Sequence, residues 1–199
     1  LRAAIAKLNP TLSAETQAEV LGKVVQTVTP SLIEENRRLH HYLVEGVPVE
    51  VRRADGTIGG EQARLIDFDD PDANDWLAVN QFTVIENNLN KRPDLVLFVN
   101  GMPLVVIELK NAADENASTQ SAFRQLETYK RSIPGLFTYN ALLVISDGLE
   151  AKAGSLSAGF SRFMTWKIPD DVGAMHGVVG ANNHLPLLRH LPQQPELET

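Results

Sequence analysis

Asp94, Glu108 and Lys110 stand at the two ends of the stretch RPDLVLFVNGMPLVVIELKN, residues 92–111, in which almost every residue between them is apolar. Charges are costly to bury unless they are paired or bound to a metal. Three charges flanking an apolar hairpin are therefore either a solvated strand end or a site. Glu108 and Lys110, two apart on a strand, point the same way. If Asp94 joins them from the neighbouring strand, two carboxylates converge on one hard-oxygen site suited to Mg²⁺, with the Leu109 carbonyl as a third ligand. A lysine beside such a site can orient a water or offset charge building on a phosphate. Metal-assisted phosphodiester hydrolysis needs little more. The bland alternative is an exposed ion pair of the kind that is common and contributes little.

Which alternative holds depends on register. Asn100-Gly101 is the strongest short hairpin signal in the chain. A strict two-residue turn pairs Val99 with Met102 and Asp94 with Ile107, which leaves Asp94 on the opposite face from Glu108 and Lys110. A three-residue loop of Val99, Asn100 and Gly101, with the glycine left-handed, pairs Phe98 with Met102 and brings Asp94 to their face. A functional cluster is expected to need the bulged register.

The elements that must hold this hairpin can be read from period and punctuation. The first forty residues are expected to be helical. NPTLSAETQAEVLGKVVQTV offers Ser13 as an N-cap, and TPSLIEENRRLHHYLVEG starts at Thr29 or Ser31 and stops at Gly46. The period then changes to strands: VPVEVRR, a turn at ADGTIGG, ARLIDF, a loop at DDPDAND, and WLAVNQFTV. After the hairpin, STQSAFRQLETYKRS reads as a helix, ALLVISDG as an apolar strand and RFMTWKI as a final strand. The expected fold class is α/β (α+β), with helices around a central mixed β-sheet whose apolar strands lie in the middle. From Leu185 onward the Pro- and Gln-bearing LPLLRHLPQQPELET looks like a linker.

Composition fits one domain of 199 residues, 43% hydrophobic and 22% charged. No apolar run approaches the roughly 20 residues of a membrane span, and LRAAIAKLNP is no signal peptide. The absent initiator Met points to a fragment of something longer. Zero cysteines exclude disulfides and thiolate metal sites and suit a cytoplasmic location. The net charge of −7 is uneven. Residues 1–90 carry 8 Lys/Arg against 14 Asp/Glu, 91–167 carry 9 against 7, and 168–199 carry 1 against 4. The segment with the hairpin is the least acidic, which permits phosphate contact without demonstrating it.

RPD, thirteen residues and ELK have the form of the PD-(D/E)xK nuclease motif. VLFVNGMPLVVIELKN resembles the corresponding segment of the restriction (R) subunit of type I restriction–modification enzymes, almost residue for residue in character. ENRRLHHYLVEGVPVEV, LIDFDDP and VNQFTV resemble that family's N-terminal segments in the same order. Downstream, FRQLETYKRSIPGLF carries a Gln-x-x-x-Tyr pattern in Gln125 and Tyr129 that resembles the helix motif of these nucleases and of RecB-like relatives. LLVISDGLEAKAGS and RFMTWK add to the likeness, which covers roughly residues 31–167.

The resemblance implies a restriction-endonuclease-like core with Asp94 and Glu108 as metal ligands, Lys110 as the catalytic lysine, and Gln125 and Tyr129 on one helix face towards the site or DNA. A further carboxylate from the first helical region is expected in many such enzymes, and Glu35 is preferred over Glu34. It implies a nuclease domain over residues 1–184, with N-terminal helices at 1–46 and a catalytic core at about 47–168. Residues 185–199 would then be a linker or the start of a motor domain outside this chain. The chain has no Gly-x-x-x-x-Gly-Lys-[Ser/Thr] phosphate loop, so ATP is expected only for that motor. The implied cofactor is Mg²⁺. The implied partners are double-stranded DNA and the methylation and specificity subunits of a restriction–modification complex, with no membrane. Two rivals stay open: a RecB-like exonuclease or branched-DNA nuclease, and a catalytically silent module binding partner subunits.

Other candidates rank lower. His40 and His41, adjacent on a helix, diverge by about 100° and make a poor metal pair. Arg124, Lys130, Arg131 and Lys152 are equally readable as phosphate contacts and as solvated charges. Asp67, Asp69, Asp70 and Asp72 lack the Gly and terminal Glu of an EF-hand loop and read as a turn.

Overall fold

The computed structural model describes residues 1–53, 55–111 and 118–166. The expected linker at 185–199 lies outside them, as do Lys167 and Ile168 at the end of the expected final strand. Three N-terminal helices come first: α1 (Arg2–Leu8), α2 (Ala14–Val25) and α3 (Leu32–Glu45). Ser13 caps α2 by accepting from Thr16 N–H, and Ser31 caps α3 by accepting from Glu34 N–H. Gly46 ends α3 at a φ of 87°, a left-handed turn open to glycine.

Next comes an antiparallel ribbon of β1 (Val47–Arg52) and β2 (Ile58–Ala63). The second strand is thus IGGEQA, earlier than the ARLIDF expected from its apolar residues. The Gly59-Gly60 pair, expected in a turn, lies in the ladder opposite Val51 and Glu50. Leu65 instead leaves the ribbon and enters the helical core.

The main sheet has six strands, β3 (Trp76–Asn80), β6 (Leu95–Val99), β7 (Met102–Leu109), β8 (Leu142–Ser146), β9 (Ala151–Gly154) and β10 (Met164–Thr165). Its spatial order is β10-β9-β8-β7-β6-β3, with β7 and β8 parallel and every other neighbour antiparallel. The most apolar strands are central, as expected of a mixed sheet covered by helices. A small hairpin of β4 (Val84–Glu86) and β5 (Leu89–Lys91) stands apart and turns through Asn87 and Asn88, both at positive φ. WLAVNQFTV is therefore two short strands, broken where Gln81 takes a φ of 52°.

Helix α4 (Thr119–Ser132) crosses one face of the sheet, started by a Ser118–Ser121 capping box. Its Ala122, Leu126 and Tyr129 pack with Val96, Val106, Leu143 and Ile145. Each such aliphatic side chain contributes about 1.5–3 kcal/mol by leaving water. The helices α1–α3 and the hairpin tip form a second core around Ile5, Val24, Leu39, Leu65 and Met102. No helix among the described residues is long and apolar enough to cross a membrane.

The hairpin tip differs in an instructive way from the loop the site was expected to require. Val99 pairs with Met102 across a two-residue Asn100-Gly101 turn, with φ of 53° and 80°. The register shifts further along: Phe98 faces Pro103 and Leu97 faces Val105, so Leu104 is an extra residue in β7. Beyond that bulge, Leu95 faces Ile107, which sets Asp94 opposite Glu108. The loop expectation is corrected, while the shared face it was meant to supply comes from the bulge.

Two sets of contacts hold this arrangement. The Leu104 carbonyl accepts from Ala141 N–H at 2.8 Å and from the Asn140 amide at 3.3 Å. The Asn100 side chain is buried, accepting from Asp75 N–H and donating to the Leu65 carbonyl and Asn74 Oδ1, each at 2.8 Å. A turn anchored on every side cannot absorb the extra residue, so the strand does.

Candidate active site

The bulge creates a row of side chains across the α4 face of the sheet. Val96, Val106 and Leu143 form one rung of that face, and Asp94, Glu108 and Ile145 form the next. Asp94, just before β6, uses both carboxylate oxygens: Oδ2 accepts from Leu109 N–H at 2.9 Å and Oδ1 from the Gln81 amide at 3.0 Å. Its carbonyl also accepts from Gln81 N–H at 2.8 Å.

Glu108 is only 3% exposed. Its Oε1 accepts from Lys110 Nζ at 2.7 Å. Its Oε2 is buried and has no hydrogen-bond partner among the described residues. Burial pushes the Glu108 carboxyl above its ordinary range and the charge of Asp94 adds to this, while the Lys110 ammonium opposes it.

Helix α4 brings the Gln-x-x-x-Tyr pair over this row. The Tyr129 hydroxyl donates to the Arg92 carbonyl at 3.3 Å. Burial pushes that hydroxyl up to about 12; a hydrogen bond with Gln125 opposes the shift, and the charges of Glu108 and Asp94 add to it. Tyr129 therefore stays protonated near neutral pH and serves as a donor. Five expected residues, Asp94, Glu108, Lys110, Gln125 and Tyr129, thus meet in one place.

Glu35 does not join them. Its carboxylate is bound by the Arg38 guanidinium and by the N–H groups of Val28 and Thr29. The Arg38 hydrogen bond holds its pKa down, against the opposing effect of burial. It closes the corner between α2 and α3, so the expected third carboxylate is spent on structure.

Among the described residues no group of three His, Cys, Asp or Glu side chains could hold a metal. Two opposed carboxylates, one with a buried unpartnered oxygen, still fit a hard divalent cation that keeps several waters and takes a backbone carbonyl such as that of Leu109.

The lesser candidates fall on structural roles. His40 Nε2 lies 2.9 Å from the Asn140 carbonyl, and His41 pairs with Glu45. Lys130 binds Glu127 and the Leu156 carbonyl; Lys152 binds Glu150 and sits over the Phe160 ring. Asp67 and Asp70 accept from backbone N–H groups of their own turn. Arg124 and Arg131 remain on the surface. Sequence reasoning passed over Gln81, whose only signal was a polar residue closing an apolar strand.

Residues 1–162 match the family model described as the type I restriction enzyme R protein N terminus. The chain is 43% identical over 172 residues to the type I restriction enzyme HindI endonuclease subunit of Haemophilus influenzae, a match covering 86% of this chain and 16% of that protein. It is 35% identical over 167 residues to the putative type I restriction enzyme MjaIXP endonuclease subunit of Methanocaldococcus jannaschii, covering 82% and 16% respectively. A shorter match, 35% over 80 residues, links it to the SauCOLORF180P endonuclease subunit of Staphylococcus aureus, covering 40% of this chain and 8% of that one. The chain thus spans about a sixth of the length of the first two relatives.

Proposed function

This chain belongs to the family of type I restriction enzyme R protein N termini, and from that premise we propose that it is the endonuclease domain of an ATP-dependent restriction enzyme. On this reading it hydrolyses phosphodiester bonds of double-stranded DNA by the PD-(D/E)xK mechanism. The observation that carries the reading is the pairing of Asp94 with Glu108 across the bulged hairpin, with Lys110 bound to the buried carboxylate.

Asp94, Glu108 and the Leu109 carbonyl are the groups that would hold the metal. Mg²⁺, when bound, would supply Lewis acidity towards water and the phosphate. Lys110 then turns from Glu108 to hold the attacking water or the phosphate oxygens. Gln125 holds the Tyr129 hydroxyl, which donates to the Arg92 carbonyl next to the segment that delivers Asp94. ATP and the reading of target sequence belong to parts of the enzyme outside this chain, including the methylation and specificity subunits.

The test uses the complete R subunit with those partners, ATP and Mg²⁺, on covalently closed circular DNA carrying an unmodified site. Cleavage of the circle is expected, and Asp94→Asn, Glu108→Gln and Lys110→Ala should each lower it by at least about a hundredfold. Cutting that occurs only after a free end is supplied would replace this reading with a RecB-like exonuclease. Variants that cut at the native rate would leave the fold as an interaction module.

A further inference from the structure

We propose that Gln81 is a positioning residue of the site, fixing the Asp94 carboxylate for metal binding; the inference rests on the nuclease reading above. Gln81 grips Asp94 twice: its backbone N–H donates to the Asp94 carbonyl at 2.8 Å, and its side-chain amide donates to Oδ1 at 3.0 Å. With Leu109 N–H on Oδ2, both oxygens of Asp94 are held and the carboxylate plane is set. Each oxygen keeps a further lone pair for a cation. Outer partners of this kind orient the ligand and raise its effective basicity.

The backbone gives an independent reason. Gln81 sits at a φ of 52°, a left-handed conformation that costs a residue with a side chain about 1–2 kcal/mol. Antiparallel pairing with β6 ends at Asn80 and Leu95, and the next pair would be Gln81 and Asp94. The left-handed bend stops the strand there while leaving the amide on the carboxylate. Phe82 then locks the bend, with its ring edge-on to Phe98 at 5.2 Å between centroids. Gly or Asn would make the same turn with less strain, so a glutamine in this conformation is explained by what its side chain reaches.

The test is a Mn²⁺ titration of the 199-residue chain, following the free ion by electron paramagnetic resonance, with Asp94→Asn defining the site-specific part. Gln81→Met keeps the bulk and the strain but removes the donor. Gln81→Gly removes the donor and relieves the strain, so it folds at least as well as any variant here. Both should raise the Mn²⁺ Kd roughly tenfold, the low end for outer-shell partners, while Tm stays within about 3 °C of the parent. Affinities unchanged in both variants would overturn the role of Gln81. A loss in Gln81→Gly that is absent in Gln81→Met would overturn it too, by assigning the effect to the backbone conformation at φ 52° and not to the side-chain donor. Equal Mn²⁺ binding by the parent and Asp94→Asn would sink the metal reading itself, and the inference with it.

Discussion

Glu108 keeps a charge where the fold would prefer none. Its burial raises its pKa above the unfolded value, so its contribution to stability is present in full below the ordinary carboxylate range. That contribution is lost as pH rises through the folded pKa. Wherever it is ionised, the half-paired carboxylate is a cost to the fold, and on the proposed reading its unpartnered Oε2 is the oxygen a cation would take. Glu108→Gln should therefore raise Tm near pH 7.5 by about 2–4 °C, the equivalent of roughly 1 kcal/mol. The gain should vanish near pH 4, where the native glutamate is also neutral. Scanning calorimetry across that pH range checks both halves, and a variant that melts below the parent at pH 7.5 would contradict the account. At this scale much was legible. A proline-aspartate, a Glu-x-Lys and a Gln-x-x-x-Tyr carry their own spacing, and the structure gathers all of them. Gln81 was not legible, because a single glutamine after a strand has no spacing to betray it; only the ladder shows what it faces.

The hairpin of β6 and β7 illustrates what an element reveals and what it hides. Asn-Gly fixed the turn type, and the two-residue turn is there. The apolar alternation could not place the bulge, because Leu104 is as apolar as its neighbours and nothing local marks it as the extra residue. What marks it is distant: Asn140 and Ala141, nearly forty positions on, supply the donors for its carbonyl. While β1 lies where its alternation put it, the second strand of the ribbon, β2, was misplaced for a related reason. Its glycines read as a turn until a partner strand is known to pair with them. Glu35 binds Arg38 and two backbone N–H groups at the α2–α3 corner, a role that sequence does not separate from a site carboxylate, because acidic residues near a helix start look alike. The two roles separate experimentally. Glu35→Ala leaves Arg38 and two backbone N–H groups without their acceptor, at a cost of about 3 kcal/mol, or roughly 10 °C in Tm. Its Mn²⁺ affinity should equal that of the parent. A normal Tm with weakened Mn²⁺ binding would return Glu35 to the site.

Across the whole molecule, charge is distributed against tight independent binding of DNA. The chain carries −7 overall, and the positive balance of residues 91–167 is small, 9 Lys/Arg against 7 Asp/Glu. Several of those cations are already engaged: Lys110 by Glu108, Lys130 by Glu127 and Lys152 by Glu150. Arg92 and Arg124, both exposed, flank the candidate site on the segments that deliver Asp94 and Tyr129. A domain with this charge distribution has little of the electrostatic footprint of a DNA reader, which agrees with the proposed reading in which other parts of the enzyme hold the duplex. The expected consequence is quantitative. With Ca²⁺ in place of Mg²⁺, duplex affinity of the 199-residue chain should fall with salt at a log–log slope no steeper than about −3, the release expected from about three phosphate contacts. Arg92→Ala and Arg124→Ala should each make that slope shallower by about one contact's worth. Fluorescence anisotropy between low and physiological salt gives the slope directly. A slope of about −6 or steeper would mean that the chain itself grips DNA along an extended basic track, and the division of labour between cutting and holding would have to be redrawn.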